Sequence, residues 1–163
     1  MDAELDQKQD QIEIKVPCKP EFVRTVRRAV ADFAQSLDVP ESMIAEIEVA
    51  ASEAVTNIVR HAYSDGKGAH LVRVKCRRRA NGLTVEVIDK GRGFDVPPDG
   101  AVPDVDLDRD GGFGITLIKT LMDRVNYVSK PDEGTRIRMT KRAKKALSDA
   151  TRRRTSNVGP AKR

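Results

Sequence analysis

Four short stretches combine residue types that could do chemistry. Glu53 and Asn57 stand four apart in the small, apolar run Val49-Ala-Ala-Ser-Glu-Ala-Val-Thr-Asn-Ile-Val59. On a helix that spacing places both on one face. A carboxylate and an amide there must be paired, solvated or aimed at a site, because burying them unsatisfied is costly. Alone, the pair reads as easily as an exposed polar stripe with Glu46 and Arg60. Asp89-Lys-Gly-Arg-Gly-Phe94 ends an alternating stretch. Gly91 and Gly93 would let backbone approach a ligand while the Asp89 carboxylate accepts a hydrogen bond; a simple glycine-rich turn is the other reading. Gly111-Gly-Phe-Gly114 runs straight into helical spacing, and free N–H groups at a helix start suit phosphate, although a plain hinge would look the same. Gly134-Thr135 opens the last strand and by itself is turn chemistry.

The elements that must position these residues can be read from periodicity. Ile12, Ile14 and Val16 alternate over Gln11–Val16, a strand stopped by Pro17 and Pro20. Phe22, Val26, Ala29, Val30, Phe33 and Leu37 recur at helical spacing over Glu21–Leu37, with Arg24, Arg27, Arg28 and Asp32 largely between them. A second helix starts at Pro40 and continues to about Ala62. Leu71–Arg79 and Leu83–Asp89 alternate as strands around Asn81-Gly82, a hairpin signal. Residues 90–113 contain eight Gly or Pro and little periodicity, and a loop beyond ~12–15 residues is usually functional. Helical spacing resumes over Ile115–Val125. Val125–Ser129 and Thr135–Thr140 then flank the turn Pro131-Asp-Glu-Gly134. The expected fold is α+β, a two-layer sandwich with helices on one face of a mostly antiparallel sheet.

Composition narrows the class. The 163 residues carry a formal charge of +5 and only 4% aromatics, without Trp, so the core must be aliphatic. The last 23 residues hold nine bases and one acid; residues 1–140 hold 21 bases and 24 acids, a charge of −3. Basicity therefore belongs to the tail, which supports at most non-specific phosphate attraction and no specific nucleic-acid binding. Cys18 and Cys76 match no metal or redox spacing and read as free thiols. No apolar run approaches ~18 residues, and the polar N-terminus is unlike a signal peptide, so the expectation is a cytoplasmic protein without membrane contact.

Taken together, the order Glu-x-x-x-Asn, Asp-x-Gly-x-Gly-Phe, Gly-x-Gly and Gly-Thr resembles the Bergerat-fold (GHKL) ATP-binding family. Ser52-Glu-Ala-Val-Thr-Asn57 with His61-Ala-Tyr63, and Gly112-Phe-Gly-Ile-Thr-Leu-Ile118 with Met122-Asp123, are similar to the anti-sigma factor serine/threonine kinases of the RsbW/SpoIIAB type. The resemblance covers residues 11–141 as the ATPase domain, leaving a flexible N-terminus at 1–10 and a basic, disordered tail at 142–163.

The resemblance implies roles. Glu53 would be the catalytic base toward a substrate hydroxyl, and Asn57 the Mg²⁺ ligand. Asp89 would accept from the adenine amino group, with Gly91 and Gly93 passing beside base and sugar and Thr135 on the adenine side. Gly112 and Gly114 would face the ATP phosphates, and residues 95–111 would form the lid. Lys90 and Arg109 could meet phosphate or remain solvated. Lys90 stands where an acid is common in the subfamily, Gly111 adds a third glycine to the lid hinge, and the lid holds six Asp. The implied partners are a sigma factor and a STAS-domain anti-anti-sigma protein, with homodimer contacts through Gln11–Val16 and Phe22–Phe33. A non-catalytic, nucleotide-ordered anti-sigma module is the alternative. Histidine phosphorylation fits less well, since no helix pair with a phospho-accepting His precedes the first strand and His61 sits just behind the Asn57 motif.

Overall fold

The computed structural model describes residues 10–37, 39–63, 70–91, 93 and 113–143, with backbone alone at 61–63 and 113. Its order is β1 (Gln11–Pro17), α1 (Val23–Gln35), α2 (Glu41–Tyr63), β2 (Leu71–Arg79), β3 (Gly82–Asp89), α3 (Phe113–Leu121), β4 (Arg124–Lys130) and β5 (Gly134–Arg142). The strands form one antiparallel sheet in the order β1-β2-β3-β5-β4. The expected α+β sandwich, helices on one face, is what the chain forms.

Alternation in the strands builds the core. Cross-strand register aligns Ile14, Val74, Val87, Ile137 and Tyr127 in one row across all five strands, and Ile12, Cys76, Val85, Met139 and Val125 in the next. Because side chains alternate between faces, both rows point to the helices. Val74, Cys76, Val85, Val87, Ile137 and Met139 are almost fully buried there. From the helix layer, α1 contributes Val26, Val30 and Phe33, while α2 contributes Ile47, Val55 and Ile58. Ala50, Ala51 and Ala54 are fully buried on α2, and their small side chains let the helix approach its neighbours closely. Each buried Ile or Val contributes about 1.5–3 kcal/mol relative to exposure, so Ile47→Ala would cost about 2–5 kcal/mol.

Several boundaries differ from periodicity. The stretch expected to be helical from Glu21 begins as a 3-10 turn, Pro20–Phe22, and becomes α-helical only at Val23. It ends at Gln35, where the Ser36 hydroxyl donates to the Phe33 carbonyl at 2.7 Å. The last helix stops at Leu121 rather than Val125. There the Lys141 ammonium donates to the Leu121 carbonyl at 2.6 Å and pairs with Glu46, while the Asp123 N–H donates to the Thr140 carbonyl at 3.0 Å. A cation at a helix C-terminus satisfies carbonyls the helix cannot, and Val125 fits the strand's alternation equally well. Finally, the β2–β3 turn is Ala80-Asn81, because Gly82 already pairs with Arg79 and with Arg142. Gly82 has φ +133°, and a Cβ there would lie 2.0 Å from the Lys141 carbonyl oxygen, which explains glycine one residue past the turn.

Candidate functional site

The sheet has a third inward row: Val16, Val72, Asp89, Thr135 and Ser129. It begins apolar on β1 and β2 and becomes polar on β3, β5 and β4. Asp89, Thr135 and Ser129 are nonetheless buried, at 7%, 7% and 5% exposure. Ser129 Oγ and Thr135 Oγ1 are hydrogen-bonded at 2.9 Å, and Tyr127 also bonds to Thr135. Asp89 Oδ1 is buried and has no hydrogen-bond partner among the described residues. Such an acceptor destabilises the protein by itself, by about 1–3 kcal/mol.

The glycines beside Asp89 allow backbone to close around it. A Cβ on Gly91 would lie 2.6 Å from Asp89 Oδ2. Gly93, at φ +58°, packs so tightly on the Lys130 carbonyl that a Cβ would clash at 1.9 Å. The segment leaving β3 is thereby docked on the β4–β5 turn.

A second cluster forms on the helices. Glu53 is half-buried and Asn57 is 8% exposed on α2. Gly114, in the first turn of α3, sits directly against both: a Cβ there would lie 2.9 Å from Glu53 Oε2 and 3.1 Å from the Asn57 amide atoms. Asn57 Nδ2 is buried and has no hydrogen-bond partner among the described residues. The start of α3, with its unpaired N–H groups and positive dipole end, thus meets a carboxylate and an amide.

Glu53, Asn57 and Gly114 are in one cluster; Asp89, Gly91, Gly93 and Thr135 are in the other, and both lie on the helix-facing side of the sheet. Lys90 is exposed. Gly112, Arg109 and the proposed lid at 95–111 lie outside the described residues.

Sequence reasoning missed three neighbours of Asp89. Ser129 and Tyr127 reach Thr135 only because β4 pairs with β5. Burial pushes the Tyr127 hydroxyl up in pKa, its bond to Thr135 works the other way, and the Asp89 charge adds to the rise. Cys18, just past β1, is buried near Asp89. Its thiol is pushed up to about 11 by desolvation first and by the Asp89 charge second. The alternation of β4 contained a signal for Ser129, but only the register connects it to Asp89.

The polar set fits a nucleotide. An unpartnered acceptor behind two close-approach glycines suits a base amino group, and an amide oxygen beside a helix start suits a hard cation carrying phosphates. Comparison with known proteins agrees. The histidine kinase-like ATPase domain matches residues 16–141, so the chain belongs to that family of nucleotide-binding proteins. Within it, the chain belongs to the branch of RsbW and anti-sigma F factors. It is 39% identical over 138 residues to the serine-protein kinase RsbW of Halalkalibacterium halodurans, covering 80% of this chain and 82% of that one. RsbW of Staphylococcus aureus is 31% identical, with 86% and 92% covered. An anti-sigma F factor of Caldanaerobacter subterraneus is 36% identical, with 80% and 92% covered.

Solved structures share the fold. The RsbU and RsbW domains of a Mycobacterium tuberculosis protein superpose with a TM-score of 0.60 at 22% identity, covering 81% of this chain. The match spans 32% of that longer chain. A histidine kinase domain from Erythrobacter litoralis gives a TM-score of 0.52 at 19% identity, covering 78% of this chain and 62% of that one. Among the described residues, no helix is long and apolar enough to cross a membrane.

Proposed function

We propose that the chain is a cytoplasmic, ATP-dependent serine/threonine kinase and anti-sigma factor, which binds a sigma factor and phosphorylates a STAS-type anti-anti-sigma protein. The observation that carries this reading is the contact of Gly114 with both Glu53 and Asn57. A module that only bound nucleotide would need the amide and the helix start but not the carboxylate.

In this mechanism Asn57 would hold Mg²⁺ through its amide oxygen, and the ion would neutralise charge on the ATP phosphates. Gly112 and Gly114 present backbone to the ATP phosphates. Asp89 accepts from the adenine amino group; Thr135, fixed by Ser129, orders the adenine side, and Gly91 and Gly93 admit base and sugar. Glu53 orients the substrate hydroxyl and takes its proton as that oxygen bonds to the γ-phosphorus and the bond to ADP breaks. The ATPase domain is residues 11–141, with 142–163 as a basic tail. The outer position of β1 in the sheet supports a homodimer through β1 and α1, since an edge strand can pair with a second copy.

The test is incubation with ATP, Mg²⁺ and the cognate STAS protein. Phosphoserine or phosphothreonine should appear with wild type and fall by at least about 10²-fold with Glu53→Ala. Sigma binding without any transfer by wild type would instead identify a non-catalytic anti-sigma module.

A further inference from the structure

The outward face of the sheet has a charge that the whole-domain total conceals. Every outward position of β2 after Leu71 is basic: Arg73, Lys75, Arg77 and Arg79. On β5 the outward positions include Arg136, Arg138 and Arg142, and Lys15 on β1 and Arg124 and Lys130 on β4 face the same way. Two acids, Glu13 and Glu86, accompany these ten bases on the strands. Nine of the ten lie within residues 1–140, so the remainder of that stretch, with 12 bases and 22 acids, carries −10 against +7 on the face.

The acids do not neutralise it. Glu13 is shared by Lys75 at 3.2 Å, Arg73 at 3.4 Å and Lys15 at 3.8 Å. Glu86 is shared by Arg138 at 3.0 Å and Arg136 at 3.6 Å. The positive surroundings hold the Glu13 carboxyl below its usual range, through the Lys75 hydrogen bond first and then the charges of Lys75, Arg73 and Lys15, against an opposing desolvation. The guanidinium groups of Arg77, Arg79, Arg124 and Arg142 form no salt bridge among the described residues, while the Asp123 carboxylate accepts from the Arg142 backbone N–H at 2.6 Å. The last three converge with Arg138, Thr84 and Thr140 on an open concavity of about 740 Å³ at the β2–β3 turn end, away from the Asp89 row.

We propose that this face binds the phosphate backbone of duplex nucleic acid, independently of base sequence. Three features favour that occupant. The bases stand in regular rows, recurring every ~6.8 Å along a strand, and a duplex is a dense, continuous polyanion with about one charge per 1.7 Å of axis. Arginine's fork matches phosphate. No aromatic side chain faces outward from these strands, since Tyr127 points to the helices, so the stacking platform that single-stranded binders use is missing. A second copy of the same face would be repelled.

The test is fluorescence anisotropy of the full chain with a labelled duplex of about 20 base pairs, between about 50 and 200 mM salt. Neutralising Arg77, Arg79, Arg124 and Arg142 together to Gln should weaken binding roughly tenfold or more and reduce the log–log salt slope by up to about 3.6, at about 0.9 per contact. The same chain should melt like wild type and keep phosphotransfer, which separates this inference from the kinase reading. A second full-length variant, with the seven bases of 144–163 changed to Gln, should retain the part of the slope that the first variant loses. Wild-type affinity and slope in the first variant would assign any binding to the tail and overturn the proposal. Displacement of labelled duplex by poly-glutamate as effectively as by unlabelled duplex, at equal charge, would overturn it in favour of an acidic protein.

Discussion

Gly114 and Glu53 touch so closely that a side chain at the helix start would have to displace the carboxylate: a Cβ at position 114 would stand 2.9 Å from Glu53 Oε2. The contact couples α3 to the functional face of α2.

Gly114→Ala should therefore separate stability from function. Alanine is favoured over glycine within a helix by roughly 0.5–1 kcal/mol, and Glu53 can move to relieve the contact. The melting temperature should change little or rise, while nucleotide affinity and phosphotransfer fall roughly tenfold or more, because a positioning error near 1 Å is costly in catalysis. Thermal unfolding and radiolabelled ATP transfer on one preparation would decide it; parallel losses of both would indicate simple misfolding.

Glu53→Gln keeps the shape and removes the base. The expected result is a fall in phosphotransfer of about 10²–10⁴-fold with nucleotide binding preserved. Asn57→Ala should act differently, raising the Mg²⁺ concentration for half-maximal nucleotide binding. Titration of Mg²⁺ at fixed nucleotide distinguishes the two, and identical phenotypes would contradict the separate roles.

Asp89→Asn should weaken ATP binding by roughly ten- to a hundredfold and narrow discrimination against GTP, since an amide can donate where a carboxylate accepts. Without nucleotide the variant should unfold at the same or a higher temperature. Asp89 Oδ1 is buried without a hydrogen-bond partner among the described residues, so exchanging that oxygen for a polar atom of the same size breaks no hydrogen bond. A large loss of stability without ligand would show that Asp89 is structural.

The buried thiols predict an alkaline limit to stability. Burial pushes Cys76 from its ordinary 9.0 up to about 12. A pKa raised by folding means that the native state holds its proton more tightly than the unfolded chain. The associated stability is complete below about pH 9 and is lost as pH rises from 9 toward 12, by at most about 1.4 kcal/mol per pH unit for one thiol. Urea midpoints should be flat near neutrality and fall above pH 9, and Cys76→Ala should show a shallower fall whatever its absolute stability. Equal slopes in the two proteins would exclude Cys76 as the cause.

Much of this architecture is local and therefore legible before folding. Alternation in Leu71–Arg79 and Leu83–Asp89 and helical spacing in Val23–Gln35 and Glu41–Tyr63 depend on residues a few positions apart. Boundaries were less legible where a residue suited both periods, as Val125 did, or where a partner far along the chain set the end, as Lys141 did for Leu121. The order of strands was hidden as well. β5 lies between β3 and β4, so Asp89 meets Thr135 rather than the strand that precedes it in the chain.

What the sequence alone determined was the chemistry on offer: Glu53 with Asn57 on one helical face, Asp89 with Gly91 and Gly93 after a strand, Gly114 at a helix start, and an acidic total for residues 1–140. The tertiary structure decided which of these groups meet, bringing Gly114 against Glu53 and placing Ser129 and Tyr127 beside Thr135. It also turned a small negative total into a cationic sheet face opposed by a more acidic remainder. The physical reason is that side-chain alternation is a property of one strand, whereas a surface potential and a binding site are sums over strands and helices whose adjacency depends on the whole fold.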